Sequence, residues 1–92
     1  MIIQVKTFAR FRELFGGDFA LTLPDGSTTG YAMEKIAARA GGGEEALYDE
    51  EGKIRPYIIV LINKKRLSGD ARATGTLAEG DELALLPPVA GG

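Results

Sequence analysis

The chemistry open to this chain is bounded first by the side chains it lacks. Its 92 residues include no histidine and no cysteine. That removes the imidazole base, the thiol nucleophile, the disulfide and every Cys/His zinc site. Ser27 and Ser68 are the only serines, and no imidazole exists to activate either hydroxyl. A self-sufficient hydrolase or metalloenzyme is therefore not expected, nor is a bound cofactor or metal. What remains is Pro87-Pro88-Val89-Ala90-Gly91-Gly92. Two prolines favour an extended polyproline-like arm of about 3.1 Å per residue, so this segment can project up to roughly 20 Å. Glycine has no Cβ, so Gly91 and Gly92 can thread a narrow channel and set a carboxylate against another protein's catalytic groups.

Hydrophobic residues make up 45% of the chain and charged residues 26%, a balance that predicts one small globular domain over 1–86 with 87–92 as its tail. The net charge of −2 gives no electrostatic reason to expect nucleic acid as a partner. The longest purely apolar run, Tyr57 to Ile62, is far short of the roughly 20 residues that cross a bilayer, so no membrane association is expected. Met1-Ile2-Ile3-Gln4-Val5-Lys6 alternates from the start and lacks a basic segment followed by an apolar one. No export signal is expected, and the expected location is the cytoplasm.

The elements that must hold the tail read as follows. Ile2 to Phe8 alternates as a strand with Ile3, Val5 and Thr7 on the better core face and Phe8 on the other. Phe11, Leu14 and Phe15 fall at i, i+3, i+4, a short helical turn ended by Gly16-Gly17. Asp18 to Leu23 is a second strand, giving an antiparallel hairpin, and Pro24-Asp25-Gly26 is a turn. Ser27 or Thr28 can cap a helix to about Ala40 with Met33, Ile36, Ala37 and Ala40 inward. Gly30 in its first turn costs up to about 1 kcal/mol against alanine. Gly41-Gly42-Gly43 stops it. Residues 44–53 read as an acidic loop with a helical turn around Glu44 to Tyr48. Ile54 to Ile62 is the strongest strand, with Pro56 near its start. Asn63-Lys64-Lys65 turns into a short Arg66-Leu67 strand, and Ser68 to Thr76 reads as a loop. Leu77 plugs the core, and Glu82 to Leu86 is the last strand with Leu83 and Leu85 inward. The order defines an α+β fold, a mixed sheet of four to five strands with one main helix across one face.

Three segments carry a family resemblance. Phe8-Ala9-Arg10-Phe11-Arg12-Glu13-Leu14, Ile62-Asn63, and the whole stretch from Leu77 to Gly92 resemble the MoaD/ThiS group of ubiquitin-like sulfur carriers, most of all the small subunits of molybdopterin synthase. The resemblance implies a β-grasp fold and a role as a non-catalytic sulfur-donor subunit in molybdenum or tungsten cofactor synthesis. It implies a partner of the ubiquitin-activating type, an adenylyltransferase that uses ATP to adenylylate Gly92. Sulfide then displaces AMP and leaves a thiocarboxylate. A chain without cysteine cannot carry sulfur as a persulfide, which fits a carrier that uses its α-carboxylate. A second implied partner is the large subunit of molybdopterin synthase, and Phe8, Leu67 and Leu86 are candidates for the apolar patch that meets both partners. Phe8 and Leu86 also fall opposite the core sets. Arg12 is a further candidate contact. The same activated Gly92 could be attacked by lysines of target proteins, making the chain a ubiquitin-like modifier. Carriers for tRNA thiolation or thiamine remain open as well. The sequence departs from the family pattern at Thr7, usually apolar, at Lys64 after Asn63, and in the longer segments 41–53 and 68–76.

Overall fold

The computed structural model describes residues 1–87. Alternation builds its first strand. In β1 (Ile2–Thr7), Ile3, Val5 and Thr7 are buried while Ile2 and Gln4 are exposed. Next, α1 (Arg10–Phe15) buries Phe11 and Phe15, and β2 (Phe19–Thr22) pairs antiparallel with β1 as the hairpin reading predicts. The main helix, α2 (Thr29–Ala37), is capped by Thr28, whose Oγ1 accepts the Tyr31 amide at 3.2 Å. It lays Ala32, Met33, Ile36 and Ala37 on the core. After it come α3 (Gly43–Leu47), β3 (Ile59–Ile62), β4 (Lys65–Leu67), α4 (Ala71–Thr74) and β5 (Glu82–Leu86).

The sheet order is β2-β1-β5-β3-β4. β5 lies in the middle, parallel to β1 and antiparallel to β3. The core packs Ile3, Val5, Val60, Leu83 and Leu85 of the sheet against Phe11, Phe15, Met33, Ile36 and Leu47 of the helices. Leu77 joins it, 3% exposed. One face of the sheet is thus covered by helices, as the α+β reading requires.

The structure corrects three boundaries. The α2 helix ends at Ala37 rather than Ala40: Ala38 is its C-cap, and the Arg39 amide donates to Ile36 O, a tightened last turn before the glycines. The stretch 54–58 is not part of a strand. Ile54 makes one isolated bridge to Tyr48, and the carbonyls that a strand would give to a neighbour go to Arg72 instead. Its Nη1 donates to Arg55 O at 2.8 Å and Ile58 O at 2.9 Å, and its Nη2 to Ile54 O at 3.3 Å. Finally, the segment from Ser68 to Thr76 holds α4, which packs on α2. The buried Thr29 hydroxyl donates to Arg72 O at 2.7 Å, and its amide to Gly75 O at 2.8 Å.

Candidate functional site

The tail follows the central strand. β5 ends at Leu86, and Pro87 is the only residue of the expected tail among those described; Pro88, Val89, Ala90, Gly91 and Gly92 lie outside the described residues. The surroundings of this exit are set by the register. Ile59 stands opposite Leu86. One row further in, Lys6, Ala84, Leu61 and Arg66 follow one another across four strands. Phe8 comes directly after Thr7, the partner of Leu85, and is 44% exposed. Phe8, Ile59, Leu61 and Leu86 stand outside the buried core, and Ala84 lies buried between them, 5% exposed. They form an apolar patch on the sheet face opposite the helices, ending where the tail leaves. Tyr57, two residues before Ile59, is also exposed.

Charge borders this patch. The Lys6 ammonium lies 3.4 Å from a Glu82 carboxylate oxygen, and Arg66 closes the row on the β4 side. At the far end a two-residue turn reverses the chain, with Asn63 at φ 50° and Lys64 at φ 70°. Asn63 holds it in place: its Nδ2 donates to Asp81 Oδ1 at 2.9 Å and its Oδ1 accepts the Glu82 amide at 3.0 Å.

Of the residues picked out from the sequence, the structure brings Phe8 and Leu86 to this one face. It does not bring Leu67 there. Leu67 pairs with the buried Val60, so the register turns it to the helix-covered side, where it packs against the core. Arg12 is exposed on α1, its Nη1 3.8 Å from Asp18 Oδ1. Sequence reasoning missed Ile59, Leu61 and Ala84. The signal was present in the run Tyr57 to Ile62, which is apolar at every position rather than at every second one. A strand with one wet face alternates, and one with both faces apolar needs cover on both.

Among the described residues there is no group of three or more His, Cys, Asp or Glu placed to hold a metal ion. No helix among them is long and apolar enough to cross a membrane. A concavity of about 720 Å³ lies on the helical side between α2, α4 and the 48–54 segment. Tyr48 lines it, and burial, with Glu34 and Glu44 nearby, pushes its phenol up to about 12.

A central strand leading to the tail, one main helix across the sheet and an uncovered apolar face at the exit define a ubiquitin-like β-grasp protein. The chain belongs to the ThiS family, whose sequence profile matches residues 5–92; it is thus a ubiquitin-like protein of the ThiS/MoaD sulfur-carrier type. It is 32% identical over 91 residues to a molybdopterin synthase sulfur carrier subunit from Arabidopsis thaliana, covering 98% of this chain and 82% of that one. It is 36% identical to small archaeal modifier protein 1 of Haloferax volcanii, covering 98% and 100%. The crystal structure of that modifier superposes with a TM-score of 0.88 at 28% identity, over 100% of both chains.

Proposed function

We propose that this protein is the sulfur carrier subunit of a molybdopterin synthase, non-catalytic by itself, working through Gly92. The Gly92 carboxylate attacks ATP held by a ubiquitin-activating-type adenylyltransferase, forming an acyl adenylate and releasing pyrophosphate. Sulfide delivered by a donor adds to the acyl carbon and expels AMP, leaving a thiocarboxylate. That sulfur nucleophile then enters the large subunit's active site and bonds to a pterin carbon. Water cleaves the acyl–sulfur bond, leaving the sulfur on the pterin and returning Gly92 to its carboxylate. This chain contributes the acyl group and a docking surface; ATP binding and proton transfer belong to the partners.

The observation that carries this reading is the apolar face of β3 and β5 beside the tail exit. A partner seated on Ile59, Leu61, Leu86 and Phe8 receives the residues after Pro87 directly. The relatives from Arabidopsis thaliana and Escherichia coli, both named as molybdopterin synthase sulfur carrier subunits, support the product. The test is intact mass spectrometry of the protein from its native host. One oxygen replaced by sulfur on the full chain is the expected result, and a chain found only as the carboxylate under cofactor-producing conditions overturns the reading.

The 36% identity to small archaeal modifier protein 1 favours a second reading. In it a lysine amine, instead of sulfide, attacks the same adenylate and forms an isopeptide. A Gly-Gly remnant on lysines of other proteins identifies that outcome.

A further inference from the structure

We infer that the Thr7 hydroxyl and the left-handed backbone at Ala9 form a clamp that presents Phe8, already oriented, to the partner that docks at the tail exit. The inference rests on the docking role proposed above. Ala9 has φ 52° and ψ −130°, a region that a residue with a Cβ occupies only when its surroundings over-determine it. Both sides of Ala9 supply that constraint. On one side, Thr7 is locked in the β1–β5 ladder opposite Leu85. Its buried Oγ1 donates to Gly16 O at 2.5 Å and Gly17 O at 3.1 Å, which ties the end of β1 to the turn after α1. On the other, Phe11 is fully buried. The Phe8 carbonyl accepts the Phe11 amide at 3.1 Å, and the Ala9 carbonyl accepts the Arg12 amide at 3.0 Å.

The chain must therefore pass from one anchored point to the next in three residues, and Ala9 takes the unfavourable conformation that closes the gap. The residue held between the anchors is Phe8, an aromatic kept 44% exposed on the apolar face. A relaxed backbone at Ala9 would free Phe8 to turn away. Holding it in place lowers the ordering cost of docking. The clamp also gives a reason for a threonine where the family pattern is apolar: valine would fill the same space but could not donate to the Gly16 and Gly17 carbonyls.

The test compares wild type with A9G, T7V and T7S as full chains. Adenylylation by an adenylyltransferase of the ubiquitin-activating type from the same organism is followed by pyrophosphate release, and hydrogen exchange is read at the Phe11 and Arg12 amides. Glycine accepts the backbone of Ala9 without a Cβ, so A9G should melt about 2–5 °C higher. Its KM should stay at the wild-type value, with exchange at both amides no faster. T7V should raise KM about fivefold at unchanged kcat, with faster exchange at both amides, and T7S should restore both. T7V with wild-type KM and wild-type exchange overturns the clamp, and so does A9G with a raised KM or faster exchange, whether or not T7V folds. A wild-type chain that accepts no adenylate removes the proposed function instead, and the exchange rates still decide the clamp.

Discussion

Ile59 and Leu86 face each other across the antiparallel β3–β5 ladder, half-buried, on the side of the sheet opposite the helices. Each shields part of the other from water, and Phe8 and Leu61 extend the patch. The pair lies at the last residue of the strand that leads to the tail. Any surface that covers it is positioned by the backbone of β5, the strand that leads to Pro87.

Replacing Ile59 with glutamate should weaken binding to the adenylyltransferase by at least about 30-fold, the loss expected at the centre of an interface. Stability should change by only about 1 kcal/mol, because the new carboxylate stays in reach of water. Leu67→Glu should do the reverse in the fold, costing about 2–3 kcal/mol, because it drives a charge toward the core. Calorimetric binding and denaturant melts on the two variants separate the effects.

Deletion of Gly92 should abolish adenylate formation with no change in melting temperature, since the last strand ends at Leu86 and a terminal residue contributes little to a core. The two measurements are pyrophosphate release and a thermal melt. A deletion variant that folds normally and still supports cofactor synthesis would refute the role given to this residue.

Gly30→Ala should destabilise the protein, although alanine is the better helix former by up to about 1 kcal/mol. A Cβ at Gly30 would sit 2.8 Å from the Ala73 carbonyl oxygen of α4, and α4 is pinned by the Thr29 bonds. Forcing the two helices apart should cost about 1–3 kcal/mol net, read as a lower midpoint in urea.

Tyr48 makes stability depend on alkaline pH. Its phenol rises from 10.0 to about 12 in the folded state, chiefly because burial disfavours the phenolate. The folded chain therefore keeps a proton that the unfolded chain loses. The contribution is intact below pH 10 and is lost as pH rises from 10 toward 12. Tyr48 Oη is also buried without a hydrogen-bond partner among the described residues, so Tyr48→Phe should flatten this dependence and gain about 1 kcal/mol at neutral pH. Tyrosinate absorbance, with a late-titrating step that Tyr48→Phe removes, checks the assignment.

Local periodicity made much of this fold legible. The alternation in β1, the i, i+3, i+4 spacing of Phe11, Leu14 and Phe15, the Thr28 cap and the inward Leu83 and Leu85 depend on neighbours close in sequence. What was not legible depends on partners far along the chain. Ile54 to Ile58 has the composition of a strand, but Arg72, 14 residues beyond Ile58, takes its carbonyls. The cost of Gly30 could be read from helix propensity, but its purpose required the position of Ala73. The apolar patch was half visible, through Phe8 and Leu86. The other half, Ile59 and Leu61, was hidden in an uninterrupted apolar run whose periodicity cannot say which residues point outward. Leu67 was a patch candidate through the family resemblance alone, and the face it takes could be read only from its pairing with Val60.

The central place of β5 has a mechanical consequence. A strand at the margin of a sheet can be peeled off one bond at a time, but β5 is held by β1 on one side and β3 on the other. Tension applied beyond Pro87 would load both ladders in shear together. A machine that grips this chain by its last residues, or a partner slow to let go of them, should find the body of the domain resistant to being pulled open.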